Sequence, residues 1–353
     1  MNVDDREICS VGVLGAGTWG MALARMLAHT GKRVTVWSAL KGEVETLSKT
    51  NRHPKLPGVV LPEEIQYTLS MEEVCKEKDV LLFAVPSIYV RHTARQAKPF
   101  ISKGQWIVDV AKGMEADTLM TLSQVIRDEL QIPVHLAVLS GPTHAEEVAR
   151  DLPTTIVAAC EDLDVAQRVQ RCFSAPFMRV YTNQDVLGIE ICGAIKNIIA
   201  LAAGISDGLG YGDNSKAALI TRGLAEMARL GTKMGFSPYT FTGLAGMGDL
   251  IVTCTSPHSR NNRAGYLLGK GFSSKEAVRE VGMVVEGMNA LPGAVYLAKK
   301  YNVQMPIVFA VNDVVNHGMK PSEAVNSFLN SLGSFIGIAI NYHDDFIIIA
   351  NVC

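Results

Sequence analysis

The chain has 353 residues, a formal net charge of −2, 48% hydrophobic and 19% charged residues, and 31 glycines. That length suits about two domains with sizeable cores, and the composition excludes a disordered or low-complexity chain. The near-neutral charge excludes a global field that recruits nucleic acid or anionic membrane, so no nucleic-acid partner is expected; local basic groups can still bind a small anion.

The polar start, Met1-Asn-Val-Asp-Asp-Arg-Glu7, carries no signal-peptide pattern, and no apolar run approaches the roughly 20 residues of a membrane span. A cytoplasmic protein without membrane insertion is expected. Ile8 to Leu14 is a short apolar run of strand type, and Met21 to Ala28 reads as helix. Between them Gly15, Gly17 and Gly20 stand at G-x-G-x-x-G spacing. Gly15 permits the tight turn, Gly17 lets backbone approach a pyrophosphate, and Gly20 lets the helix pack on the sheet. The phosphate then sits at the helix N-terminus, where unpaired N–H groups and the helix dipole favour an anion.

Val34 to Trp37 reads as the second strand. An NAD site places a carboxylate at its end, yet the chain continues Ser38-Ala-Leu-Lys41 and has no acid before Glu43. This leans toward NADP(H), or toward use of both cofactors, with Lys41 as the nearest candidate cation. Asn51 to Pro62 is a loop rich in proline and glycine. Further strands are expected at Asp79 to Val85, Trp106 to Val110, His135 to Leu139, Thr155 to Ala159 and Met178 to Tyr181. Helical stretches such as Thr118 to Leu130 lie between several of them. Continuous apolar strands alternating with helices give a doubly wound, mostly parallel sheet covered on both faces. Ligands bind outside the carboxyl ends of such strands, and Pro86, Lys112 and Gly141 to Thr143 fall on that rim with Gly15.

The pattern changes near Asp185. Gly188 to Gly204 is a long apolar helix, and Asn214 is suited to cap a second one running to Gly235. Gly243 to Gly248 is a glycine-rich turn. Ser274 to Val281, Gly287 to Lys300, Ile307 to Val315 and Pro321 to Asn330 all read as helix. The second part is therefore all-α. The cysteines at 9, 75, 160, 172, 192, 254 and 353 form no C-x-x-C pair, and the histidines show no metal-ligand spacing, so no metal is expected.

Within the apolar helix, Lys196 and Asn197 are adjacent polar residues on a segment that should be buried nearly all round. A buried ammonium is costly unless paired, and desolvation lowers its pKa toward the range useful for proton transfer. Asp249 follows Gly243-Leu-Ala-Gly-Met-Gly248, a turn able to aim one carboxylate inward as its partner, although an N-cap role is the plain alternative. Ser259-Arg260-Asn261 offers a guanidinium fork, a hydroxyl and an amide to a phosphate. Lys112 is a second anion or carbonyl ligand.

Together these segments resemble the bacterial-type NAD(P)-dependent glycerol-3-phosphate dehydrogenases, over roughly residues 8 to 330. The most specific run is Gly193-Ala-Ile-Lys-Asn-Ile-Ile-Ala-Leu-Ala-Ala-Gly-Ile-Ser-Asp-Gly-Leu-Gly-Tyr-Gly-Asp-Asn214, joined by Ala218 to Leu224, Gly246 to Leu250, Ser259 to Asn261 and Val284 to Gly287. The resemblance implies an α/β fold with an N-terminal Rossmann-like, doubly wound sheet followed by an all-α C-terminal domain, 6-phosphogluconate-dehydrogenase-like. It implies reversible hydride transfer between NAD(H) or NADP(H) and carbon 2 of dihydroxyacetone phosphate, giving sn-glycerol 3-phosphate for glycerophospholipids. By that similarity Lys196 is the proton donor and acceptor, with Lys112, Asn197 and Asp249 beside it in the catalytic set. Lys112, Gly141, Thr143, Lys196, Asp249, Ser259, Arg260 and Asn261 match substrate positions. Gly15, Gly17, Thr18, Trp19, Gly20, Lys112, Ala145, Arg260, Val284 and Glu286 match cofactor positions.

The expected division is residues 1–185 for the NAD(P)-binding domain, 186–332 for the all-α substrate domain and 333–353 for an atypical tail. A homodimer is expected from the apolar second part and from family habit. The chain departs from its relatives at Ala111 before Lys112, where many carry Thr; at His144, where Phe is usual; at Ala39, where a basic or polar residue is frequent; and in the tail, whose runs Phe335 to Ile340 and Phe346 to Ala350 could add a strand or an interface. A related β-hydroxyacid dehydrogenase is the alternative within enzymes, and a non-catalytic NAD(P)-sensing protein the alternative outside them. The Lys196-Asn197 adjacency and the Ser-Arg-Asn loop argue against the first; the combination of Lys196, Asp249 and Arg260 argues against the second.

Overall fold

The computed structural model describes residues 8–330, 338–343 and 346–351. The first strand, β1 (Ser10–Leu14), runs into the glycine turn and α1 (Thr18–His29). Then come β2 (Arg33–Trp37), α2 (Lys41–Thr50), β3 (Gln66–Thr68), α3 (Met71–Cys75), β4 (Val80–Phe83), α4 (Val90–Ala97), β5 (Trp106–Asp109), α5 (Leu122–Leu130), β6 (His135–Ser140), α6 (Ala145–Val148), β7 (Thr154–Ala159), α7 (Leu163–Phe173) and β8 (Met178–Asn183). The eight strands form one sheet in the order β3-β2-β1-β4-β5-β6-β7-β8. All neighbours are parallel except β6 and β7. The order reverses between β1 and β4, where ligands of such sheets bind.

Alternate residues of the central strands feed two cores. Val11, Val13, Leu82 and Val108 pack with α1, while Leu14, Leu81, Phe83 and Ile107 pack with Val90 of α4 and Ile126 of α5. Both faces are covered, which is why these strands read as unbroken apolar runs.

The helical region begins at α8 (Val186–Gly208), buried along almost its whole length. Around it lie α9 (Asp213–Lys233), α10 (Pro238–Thr242), α11 (Asp249–Thr255), α12 (Arg260–Gly269), α13 (Ser274–Val281), α14 (Glu286–Lys300), α15 (Pro306–Asn316) and α16 (Pro321–Asn330). Helices α8 and α12 approach with backbones nearly touching. A Cβ added at Gly204 would lie 2.0 Å from the Asn262 carbonyl oxygen, and one at Gly265 would lie 2.1 Å from that of Leu201. Gly208 and Gly269 repeat the contact one turn on. Small residues at i and i+4 on both helices permit this approach.

Several expectations need correction. Thr118 to Thr121 is not helical, because Leu119 sits at φ 61°; α5 starts after Thr121, whose N–H donates to Gln124 Oε1 at 3.0 Å. Asn214 does not cap α9: the extended residue ahead of the helix is Gly212, and Asp213 puts a charge in the first turn. The glycine-rich turn expected at Gly243 to Gly248 is present and takes π-helical form over Leu244–Gly248. By length and composition α8 is apolar enough to cross a membrane, contrary to the sequence reading, but 89% of its most apolar window is buried inside the protein. In the tail, Ile338–His343 and Phe346–Asn351 pair as an antiparallel two-stranded sheet. Phe335, Ile336 and the last cysteine, Cys353, lie outside the described residues.

Candidate active site

A cleft of about 410 Å³ opens between the carboxyl rim of the sheet and the helical region. On the sheet side its floor is main chain. Gly15 has φ 121°, and a Cβ there would lie 2.8 Å from the Ala84 carbonyl oxygen. A Cβ on Gly20 would lie 2.2 Å from the Gly15 carbonyl oxygen, whereas Gly17 has nothing within 4 Å of that position. The first and third glycines are thus required by packing, and the second leaves open space beside the N-terminus of α1. Thr18 and Trp19, the first residues of α1, line the cleft, as do Ala84 to Pro86 after β4 and Ala145 at the start of α6. This open cradle, with helix N–H groups facing it, fits a dinucleotide pyrophosphate.

The helical region supplies charge. Lys196, in the middle of α8, is 4% exposed; its Nζ donates to Asp249 Oδ1 at 2.8 Å and to Thr253 Oγ1 at 2.7 Å. Asp249 opens α11 straight after the π-helical turn and is 1% exposed. Its other oxygen, Oδ2, accepts from Lys112 Nζ at 2.6 Å. Lys112 follows β5 and also donates to the Gly141 carbonyl at 2.7 Å and to Thr143 Oγ1 at 3.0 Å. Gly141, at φ 138°, turns that carbonyl inward from the end of β6.

Two ammonium groups therefore share one carboxylate, and one positive charge is left over in a dry site. Burial pushes the Lys196 ammonium down to about 8, with Lys112 adding to the effect and Asp249 opposing it. Burial would raise the Asp249 carboxyl, but Lys112 and Lys196 outweigh it and hold the group below its ordinary range. A lysine poised near neutrality beside a fixed carboxylate can hand over and retrieve a proton. The surplus charge suits an oxygen on which negative charge develops.

The remaining expected residues divide into those at the cleft and those supporting it. Arg260 opens α12, lines the cleft and donates to the Val284 carbonyl at 3.3 Å. Ser259 caps α12 by accepting the Asn262 N–H at 3.1 Å. Asn197 and Asn261 are buried and joined: Asn261 Nδ2 donates to Asn197 Oδ1 at 2.9 Å, and Asn261 Oδ1 accepts the Gly287 N–H at 2.9 Å. Their amides tie α8, α12 and α14 together beside the cleft. Glu286 opens α14 and accepts both the Ser87 N–H, at 3.0 Å, and the Ser87 hydroxyl, clamping the helical region to the sheet rim.

Sequence reasoning missed three partners. Ser87 sits just past Pro86 on the rim, but its pairing with Glu286 spans 199 positions. Thr253, one helical turn beyond Asp249, was legible from i, i+4 spacing alone. Fully buried Glu190 accepts from the Ser123 N–H at 2.8 Å and from its hydroxyl at 2.6 Å; it lies two turns before Lys196 on the same apolar helix.

Residues 10–166 match the family described as NAD-dependent glycerol-3-phosphate dehydrogenase N-terminus, and residues 185–326 match NAD-dependent glycerol-3-phosphate dehydrogenase C-terminus. Glycerol-3-phosphate dehydrogenase (NAD(P)+) 2 of Lactobacillus delbrueckii subsp. bulgaricus is 62% identical over 327 residues, covering 91% of this chain and 97% of the relative. The glycerol-3-phosphate dehydrogenase (NAD(P)+) of Bacillus subtilis is 51% identical over 322 residues, covering 90% and 93%. The crystal structure of glycerol-3-phosphate dehydrogenase from Coxiella burnetii superposes with a TM-score of 0.87 at 37% identity, covering 91% of this chain and 99% of that one.

Proposed function

The chain belongs to the NAD-dependent glycerol-3-phosphate dehydrogenase family, and from that premise we propose how its residues carry out the reaction. It is a glycerol-3-phosphate dehydrogenase that uses NAD(H) or NADP(H) to interconvert dihydroxyacetone phosphate and sn-glycerol 3-phosphate. The observation that carries the mechanism is Lys196, buried in α8 and hydrogen-bonded to Asp249 at 2.8 Å.

When bound, the nicotinamide supplies the hydride to carbon 2 in reduction and receives it in oxidation. Lys196 gives its proton to the carbonyl oxygen as negative charge grows there, and takes it back in the reverse direction. Asp249 holds the ammonium in place and keeps Lys112 within the same network. Lys112, anchored to the Gly141 carbonyl and Thr143, adds the second positive charge that stabilises the developing oxyanion. Arg260 receives the phosphate with its planar fork, so binding of this remote group orients the reacting carbon. The Asn197–Asn261 pair fixes the spacing of α8 and α12 around the substrate. Gly15, Gly17, Gly20, Thr18, Trp19 and Ala145 hold the dinucleotide on the sheet side, with Val284 and Glu286 facing them from the helical side.

The same reading places the enzyme in the cytoplasm as a homodimer supplying the glycerol phosphate backbone of phospholipids; light scattering at one chain mass would overturn the dimer. The decisive experiment follows reduced-nicotinamide absorbance with dihydroxyacetone phosphate, wild type beside Lys196→Ala. Turnover by wild type alone supports the assignment. Undiminished turnover in the variant removes Lys196 from its role, and turnover of carboxylic hydroxyacids instead removes the substrate.

A further inference from the structure

A carboxylate lies beside the end of β2 in space although not in sequence. In this fold the adenosine ribose lies beyond the carboxyl end of the second strand, and a carboxylate there accepts from its 2′-hydroxyl. Strand β2 ends at Trp37, whose carbonyl accepts the Gly15 N–H at 3.0 Å, so the strand end and the glycine turn are joined. The next residue, Ser38, is 4% exposed. Its hydroxyl accepts the Leu40 N–H at 3.1 Å and donates to Glu43 Oε2 at 2.5 Å. Glu43 stands in the first turn of α2, and this bond brings its carboxylate back to the strand end.

A buried histidine stands on the other side of Glu43. His53, 5% exposed, uses Nδ1 to accept the Lys55 N–H at 3.1 Å, which leaves the proton on Nε2. That nitrogen lies 3.9 Å from Glu43 Oε1, beyond hydrogen-bond reach. Burial, with Lys55 adding to it, keeps the ring pKa below its ordinary value against the pull of Glu43 and Ala16. Lys41, the candidate cation of the sequence reading, is 78% exposed and lies 3.8 Å from Glu45 instead.

Resting on the reading of the cleft as a dinucleotide site, we propose that Glu43 accepts from the adenosine ribose 2′-hydroxyl and that the enzyme prefers NAD(H) to NADP(H). A 2′-phosphate would meet a carboxylate already anchored by Ser38, and like charges brought together there repel. The preference is opposite to the one that the bare spacing suggests, because the first turn of α2 returns the acid to the strand end.

The test is direct binding of NADH and NADPH to the wild type and to Glu43→Gln, by calorimetry at one ionic strength. The wild type should bind NADH about tenfold or more tightly than NADPH, and the variant should shift that ratio about tenfold toward NADPH. Wild-type preference for NADPH, or an unchanged ratio in a folded variant, overturns the proposal while leaving the dehydrogenase assignment intact. Should the variant fail to fold, displacement of NADH from the wild type decides. 5′-AMP must compete at lower concentration than adenosine 2′,5′-bisphosphate, and the reverse order overturns the proposal. Binding of neither dinucleotide removes the underlying assignment as well.

Discussion

The sheet region, residues 10–183, and the helical region, 186–330, meet at one cleft with different chemistry. The sheet offers main chain: glycines that a Cβ would spoil, a helix N-terminus and the Gly141 carbonyl turned inward at a strand end. The helices offer side chains: Lys196, Asp249, Thr253 and Arg260. A dinucleotide presents a pyrophosphate that peptide N–H groups at a helix N-terminus serve well. A small phosphorylated ketone needs charges placed at two points, and the helices offer them as buried Lys196 and exposed Arg260. Lys112 crosses the divide, rooted after β5 but bonded to Asp249 of α11.

The comparison breaks most sharply at Lys196. Lys196→Ala should lower kcat by about 10²- to 10⁴-fold, the usual reach of a general acid, while the protein melts as a folded chain. A loss confined to KM would place Lys196 in binding alone. Next comes the glycine turn. Gly20→Ala drives a Cβ toward the Gly15 carbonyl oxygen and should cost about 1–3 kcal/mol of stability and weaken dinucleotide binding. Gly17→Ala has open space and should keep the wild-type melting temperature. Equal melting curves for the two variants would contradict the close packing described.

The pH dependence sharpens the helical side. Reduction needs the Lys196 ammonium, so its rate should fall as pH rises through about 8, and oxidation, which needs the free amine, should rise over the same window. Steady-state rates in both directions check this. Away from the cleft, Glu226 accepts the Ile307 N–H at 2.9 Å and that of Val308 at 3.4 Å, at the start of α15. Burial raises its carboxyl from 4.5 to about 7. The folded state holds a proton that the unfolded chain releases, so this group makes stability fall between those two values as pH rises. Glu226→Gln should flatten that slope, by roughly 1–3 kcal/mol, in melts compared at acidic and alkaline pH. The smallest effect is expected at His144. Burial, then Lys196 and Lys112, lower its pKa against the Val252 carbonyl and Glu146, and His144→Phe should change kcat by less than about threefold.

Legibility followed the range of the interactions. The strands read clearly because both faces are buried, and Lys196 stood out because a lone ammonium in an apolar helix has few explanations. β3 escaped notice because Gln66–Thr68 is three residues long with little apolar pattern. The Asn214 cap failed because Gly212 set the helix start locally. Lys112 bonded to Asp249, Ser87 clamped by Glu286 and Glu43 folded back on Ser38 depend on docking or on a turn that spacing cannot resolve. The carboxylate was visible; where the first turn of α2 would carry it was not.

The glycine contact between α8 and α12 also sets a length standard. Lys196 lies two turns before Gly204 on one helix, and Arg260 lies at the start of the other, close to the Asn262 carbonyl that Gly204 touches. Backbone resting on backbone leaves no rotamer to adjust and no methyl group to compress. The gap between Lys196, the proposed proton carrier, and Arg260, the proposed phosphate anchor, is therefore gauged like a rigid caliper. Substitutions elsewhere in the helical core can soften the protein without resizing the jaw, whereas a single methyl at Gly204 would push the two helices apart.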